Sequence, residues 1–271
     1  MRSRSAVFFS VVLFAVGCVS TGTPRLDYEP AGETPAAPAP VTIGLLPLSE
    51  GRPPKQIDFL FGALFKTYIP LLPYVKAPYE RLDEYQAEKA REDGRPQDAT
   101  ELFPVAFSRA IAADLASSGV AKEVRLLSHP GEAVGVDFVM GGTLRSTELR
   151  VNTTSYMLGA AGVLLWILPI PIGSTAADVE LNLTLHDRSG AEVWTHHGVA
   201  RASRLRSMYS RTVTLGSHAM GSAFRLELKR YGRNDEGIVP DSCWAYHASA
   251  LREAMAEAKP SLIAFLNSRT R

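Results

Sequence analysis

The chain has 271 residues, 29 Lys and Arg against 28 Asp and Glu, and a formal net charge of +1. A near-neutral balance without a basic tract argues against a nucleic-acid partner. Its two cysteines, Cys18 and Cys243, are too far apart to form a metal or redox motif.

Arg2 and Arg4 precede an uncharged apolar run from Ala6 to Val16, followed by Gly17-Cys18. A positive start, an apolar run of about eleven residues and a small residue before the cut describe a secretory signal peptide, too short to span a bilayer. Ala15-Val16-Gly17-Cys18 resembles a bacterial lipobox, with Ala15 where leucine is commoner. The resemblance implies removal of residues 1–17 and lipidation of Cys18 with palmitate-like chains. Val19 follows, where an aspartate would resemble an inner-membrane retention signal; its absence points to the periplasmic side of the outer membrane. Several acyl chains anchor durably, since each buried methylene contributes about 0.8 kcal/mol. Cys243 is then left without a disulfide partner and is expected as a buried thiol. Residues 18–40, rich in Ser, Thr, Gly, Ala and Pro, read as a flexible tether.

A single folded domain is expected over residues 41–271, with insertions at about 53–100 and 152–176. Val41 to Leu48 is a short apolar strand, with Pro47 marking its end or an edge position. Ile57 to Val75 is apolar but divided by Pro70 and Pro73, so one long helix is excluded. Tyr79 to Arg95 is strongly charged, a solvated helix or loop. Phe103 to Ser118 is a helix whose apolar face holds Val105, Phe107, Ile111, Ala112 and Leu115, stopped by Gly119. A strand over Glu123–Leu127 and a turn at Ser128-His129-Pro130-Gly131 follow.

Asp137 to Thr195 organises the chain. Asp137–Leu144 is an apolar run through Gly141-Gly142, with alternation continuing to Val151. Val179–His186 alternates at period 2, which places Leu181, Leu183 and Leu185 on a core. Asp187-Arg188-Ser189-Gly190 turns the chain into Ala191–Thr195, a hairpin partner. Between the first two strands, Val151 to Ala177 carries no charge. Three covers are open for it: the domain itself, with Ile57–Val75 packed on it, a bilayer, or another chain; for the last two, Tyr156, Leu158, Leu164, Leu165, Trp166, Ile167, Leu168, Ile170 and Ile172 are the candidate membrane- or partner-contact residues. Pro169, Pro171, Gly159 and Gly162 argue against a spanning helix, and an interfacial loop with Trp166 and Tyr156 near the headgroups fits better. A basic strand continuation or loop over Ala200–Met208, a weaker helix at Leu215–Leu228 and a helix over Ala245–Phe265, kinked or split at Pro260, complete the pattern. The fold class is therefore α/β: a mostly antiparallel sheet of about five strands, centred on Ile43, Val124, Val139, Leu183 and Val193, with helices on one face.

This order resembles the periplasmic lipoproteins whose core is like the curli secretion channel subunit, the penicillin-binding-protein activators and the amino-terminal domain of the Tol β-propeller protein. The residues that carry it are Val41–Leu48, Phe103–Gly119, Val136–Leu144, and Val179–Leu185 with Asp187-Arg188-Ser189-Gly190 and Val193-Trp194. Val136 stands where that group has alanine before the aspartate. The resemblance covers about half of the mature chain and implies a fold and an accessory role, with no catalytic residues. Auxiliary lipoproteins of lipid-transport systems are a second resemblance.

Candidate chemistry is thin. His196 and His197 are adjacent, so on a strand they face opposite ways and do not chelate together. Gly216-Ser217-His218 lacks the second glycine of a nucleophile elbow. No metal, cofactor or catalytic residue is expected. Arg201, Arg204, Arg206 and Arg211 suit either contact with anionic lipid heads or glycan or a solvated edge that discourages aggregation, and the solvated edge is the better reading. Two function classes remain: a membrane-anchored interaction protein, with a protein partner or a second copy, or an envelope enzyme with an unrecognised site.

Overall fold

The structure, a computed structural model, describes residue 28 and residues 38–57, 75–92, 102–168, 170–206 and 238–269. In chain order the elements are β1 (Ala39–Leu45), β2 (Ser49–Glu50), β3 (Gln56–Ile57), β4 (Val75–Glu80), α1 (Leu82–Glu92), α2 (Phe103–Ser117) and β5 (Ala121–Leu126). Then come β6 (Phe138–Ser146), β7 (Leu149–Thr153), α3 (Ala160–Leu164), β8 (Gly173–Asp187), β9 (Glu192–Arg206) and α4 (Ile238–Arg269).

The fold is mixed α/β around one sheet, of nine strands among the described residues rather than about five. All five expected strand centres lie in strands. The extra count has a physical origin. β1 breaks at Pro47, which lacks the N–H a ladder needs, and the chain rejoins the sheet as β2 beside the same neighbour, β6. β6 and β7 form a second broken line along β8, interrupted at Thr147 and Glu148. β3 and β4, expected as part of an insertion, instead extend the sheet through β7, with Pro78 of β4 opposite Arg150. Five of the eight pairings are antiparallel; β1–β5, β1–β6 and β2–β6 are parallel.

The alternation in β8 does what period 2 dictates. Val179, Leu181, Leu183 and Leu185 are buried in one cluster with Ile43, Leu45, Met140 and Leu144. Phe107, Ile111 and Leu115 of α2 and Leu251, Met255 and Leu262 of α4 complete it. Burying each such side chain contributes about 1.5–3 kcal/mol. The buried face of α2 is Phe103, Phe107, Ala110, Ile111, Asp114 and Leu115; Val105, expected on that face, is 41% exposed. Gly119, at φ +66°, stops the helix.

α4 lies over β8 and β9, and small residues set how close it comes. Gly198, Ala200 and Ala202 are buried in β9, and a Cβ at Gly198 would sit 3.5 Å from that of Ala254. A single helix runs through Pro260, which was expected to kink or split it. Its packing on both sides of that residue, through Met255, Lys259, Leu262 and Leu266, holds the helix where propensity alone would interrupt it. The expected Leu215–Leu228 helix and most of Ile57–Val75 lie outside the described residues.

Asp137 fastens the opposite end of the sheet from Thr153. Its carboxylate accepts from the backbone N–H of Thr42 (2.7 Å) and pairs with Arg188 (2.5 Å). The β8–β9 turn beside it is wider than a two-residue loop. Gly190 takes φ +81°, Asp187 accepts from the N–H groups of Ser189 and Ala191, and His186 pairs with Glu192.

Candidate functional site

The uncharged excursion is a compact loop between Thr153 and Gly173, which pair with each other as the last rung of β7 and β8. Its interior is polar backbone closed around one aromatic ring. Trp166, in the single turn Leu165–Ile167, is 7% exposed and donates its Nε1–H to the carbonyl of Thr154 (2.8 Å). The Tyr156 hydroxyl donates to the carbonyl of Pro171, and the Thr154 N–H donates to the carbonyl of Ile172 (2.9 Å). Tyr156 and Met157 take positive φ, +56° and +63°, a conformation that costs free energy for residues with a Cβ. Gly162 is required by close approach: a Cβ there would lie 1.7 Å from the Ser155 carbonyl oxygen.

Folding the loop this way turns aliphatic side chains outward. Met157 (49%), Leu158 (54%), Leu164 (69%), Ile167 (64%) and Leu168 (49%) are exposed. Of the nine residues expected as contacts, Leu158, Leu164, Ile167 and Leu168 therefore face outward. Tyr156, Leu165, Ile170 and Ile172 are half-buried. Trp166 is a correction: it is the loop's internal core, because its indole N–H has a carbonyl to satisfy there, and it is not placed at a headgroup. Met157 was missed, although it lies in the same uncharged run. Among the described residues, no helix is long and apolar enough to cross a membrane.

The loop occupies one end of the sheet, and the start of β1 occupies the other. Ile43 pairs with Phe138 and Phe138 with Asp187, whereas Gly173 pairs with Thr153 and Arg206. The fifteen residues of β8 separate the two ends by roughly 45 Å. At the β1 end, Tyr28 packs against the core and its hydroxyl donates to Asp114 (2.8 Å). Burial first, and then the Asp114 carboxylate, push the Tyr28 phenol well above its ordinary range. Under it lies an ion pair of which both side chains are fully buried, Lys259 Nζ to Asp114 Oδ1 at 2.9 Å, with Ser118 bonded to both.

A second buried polar cluster sits at the break between β6 and β7. The Arg52 guanidinium donates to Asp83 (2.8 Å), Glu50 (2.6 Å) and Thr147 Oγ1 (3.0 Å). Glu80 accepts from the N–H and the hydroxyl of Thr147, and His247 Nε2 lies 2.9 Å from the Thr147 carbonyl. Asp83 also accepts from the N–H of Phe103, capping α2 from a different helix. Burial lowers the Arg52 pKa, but the bonds to Glu50 and Asp83 outweigh it and raise the value above the ordinary one. Burial pushes Glu50 up, and its bonds to Arg52 hold it below the usual range. Each polar atom of the Arg52 side chain is bonded within the protein, so the cluster is an anchor for β2, α1 and α2.

Cys18 and His218 lie outside the described residues, and Cys243 lies in α4. His196 stacks on Trp194 on the helix-covered side of β9, and His197 Nδ1 lies 2.6 Å from Asn182 on the other. Among the described residues, no three His, Cys, Asp or Glu side chains converge as metal ligands would.

No family model matches the chain, and no curated protein matches it. Two solved structures are similar to it in part. One is a PelC dodecamer from Paraburkholderia phytofirmans, 13% identical, covering 83% of this chain and 91% of that one at a TM-score of 0.28. The other is the lipoprotein GNA1162 from Neisseria meningitidis, 16% identical, covering 70% of this chain and 97% of that one at a TM-score of 0.21. Likenesses this distant assign neither a family nor an activity.

Proposed function

We propose that the chain is a non-enzymatic accessory or scaffold lipoprotein of the bacterial envelope. Cys18 anchors it to the periplasmic face of the outer membrane, and the Tyr156–Ile172 loop is its contact surface. The observation that carries this reading is the construction of that loop. It spends its polar groups and Trp166 internally and presents Met157, Leu158, Leu164, Ile167 and Leu168 to the outside. Contiguous exposed aliphatic side chains on a folded protein mark a surface that something else covers.

The leader supports the anchor. Arg2, Arg4, the Ala6–Val16 run and Gly17-Cys18 are what an acylation route reads. The experiment has two arms. Cys18→Ser in the full chain should abolish incorporation of labelled palmitate and release the protein from membranes; continued labelling refutes the anchor. In residues 18–271 carrying Cys18→Ser, Leu164→Ser with Ile167→Ser should remove binding to vesicles or self-association shown by the parent. A parent that shows neither refutes the contact surface.

A further inference from the structure

Tyr28 lies eleven residues ahead of β1, within the stretch that composition marks as a tether, yet it packs against the core of the domain. Its hydroxyl donates to Oδ2 of Asp114, while Lys259 and Ser118 both bond to Oδ1. The two oxygens of a fully buried carboxylate are thereby shared between the tether and the ion pair. A buried acceptor left without a donor costs free energy, so Asp114 favours the bound tyrosine.

This contact sits at the end of the sheet away from the loop. Lys259 is two residues from Ser261, whose hydroxyl accepts from Trp194, and Trp194 pairs with Leu185. Gly173, in the rung that carries the loop, is twelve residues from Leu185 along β8, roughly 35–40 Å. In the other direction, Cys18 is ten residues from Tyr28, a span of at most about 35 Å, and twenty-one from Ala39, at most about 75 Å. Standing on its loop, the domain would hold Tyr28 roughly 35–40 Å above the bilayer, the limit of a ten-residue leash pulled straight; relaxed, such a chain spans only about 17 Å.

We propose that Tyr28 is a clasp that shortens the working tether from twenty-one residues to ten, and so turns the loop end of the domain away from the bilayer that holds Cys18. This rests on the reading of Cys18 as the anchor. With the clasp closed, the near end is the one that carries Val134 and Asp137, and the loop presents its aliphatic face to the periplasm. With the clasp open, the longer leash lets the domain turn over and set the loop on the same bilayer.

Two measurements test it. In residues 18–271 carrying Cys18→Ser, mass spectrometry follows trypsin cleavage after Arg25, three residues ahead of Tyr28. Cleavage should be at least about tenfold slower in the parent than in Tyr28→Ala, because it tracks the open fraction. Tyr28→Phe, which keeps the ring and loses the bond, should fall between them. Both variants are checked for a cooperative thermal transition. Equal rates in the parent and Tyr28→Ala overturn the clasp. In the acylated protein on phosphatidylcholine vesicles, a donor dye at position 134 or 167 reports energy transfer to dye-labelled lipid. Transfer should be stronger from 134 in the parent, and Tyr28→Ala should remove the difference. Transfer that is equal from the two positions or stronger from 167, or a difference that Tyr28→Ala leaves in place, overturns the orientation. A chain that is not acylated fails the anchor and the orientation with it, while the trypsin result still decides the clasp.

Discussion

Trp166 donates its indole N–H to the Thr154 carbonyl across twelve residues, and that bond joins the turn Leu165–Ile167 to the chain just beyond β7. The ring is the loop's own small core. Trp166→Phe should cost about 1 kcal/mol through the lost bond, and Trp166→Ala about 3 kcal/mol. Because the loop opens as a local unit, the loss should show as faster amide exchange over 154–172 while β8 is little changed. Gly162→Ala should act the same way, since its Cβ has no space beside the Ser155 carbonyl. Unchanged exchange in the loop of Trp166→Ala would contradict this assignment.

Arg52 reaches three elements at once, so its removal should loosen more than its own surface. Arg52→Met leaves the buried Asp83 carboxylate without its paired cation and should cost about 3–5 kcal/mol in chemical denaturation. Arg52→Lys should recover only part, because a point charge cannot satisfy Glu50, Asp83 and Thr147 in their separate directions. A loss under about 1 kcal/mol for Arg52→Met would mean that the cluster does not hold these elements.

Asp114 and Lys259 are both fully shielded, and they are 145 positions apart in sequence. Lys259→Met should destabilise by about 3–5 kcal/mol by stranding the carboxylate, and adding Asp114→Leu should restore much of it. A double variant as unstable as the sum of the two single ones would show no coupling between them.

Tyr28 ties residue 28 to that pair, and its raised pKa fixes a sign. The folded state holds the phenolic proton more tightly than the unfolded state, so the unfolded state releases it first as pH rises. The stabilisation is therefore complete below the unfolded value of about 10 and is lost progressively above it, toward the higher folded value. Tyr28→Phe should be less stable at about pH 8 and should lose less than the parent between about pH 8 and about pH 11. Identical alkaline loss in the two proteins would contradict the Tyr28–Asp114 contact.

Much of the sheet was legible because period-2 alternation writes burial directly into sequence. Leu181, Leu183 and Leu185 sit where that pattern puts them, and Leu183→Asp should unfold the domain. The thermal transition of that variant checks it. The breaks were not legible. Pro47 announces the end of β1, but nothing local says that the chain rejoins β6 two residues later. Thr147 reads as one more polar position, although the whole Arg52 cluster converges beside it. β4 was hidden by Pro78, which argues against a strand unless a neighbour such as β7 supplies the pairing. Lys259 and Asp114 look like solvated helix charges, since a partner 145 residues away leaves no mark on spacing.

The loop's composition was equally plain, but its inside and outside were not, because an uncharged run has no polar row to mark the solvent side. Trp166 shows the consequence: the residue that looks most suited to an interface is the one that the loop buries. The outward set is instead aliphatic.

The central claim is that the lipidated protein uses the outward face of this loop in the envelope. A photo-crosslinking residue placed at Ile167, 64% exposed on the loop, tests it in intact cells; the comparison site is Val134, 84% exposed near the opposite end of the sheet. Ultraviolet light should give a lipid or protein adduct from position 167 and little from position 134. Equal or absent adducts from the two positions, in protein shown to be acylated and folded, would contradict the account.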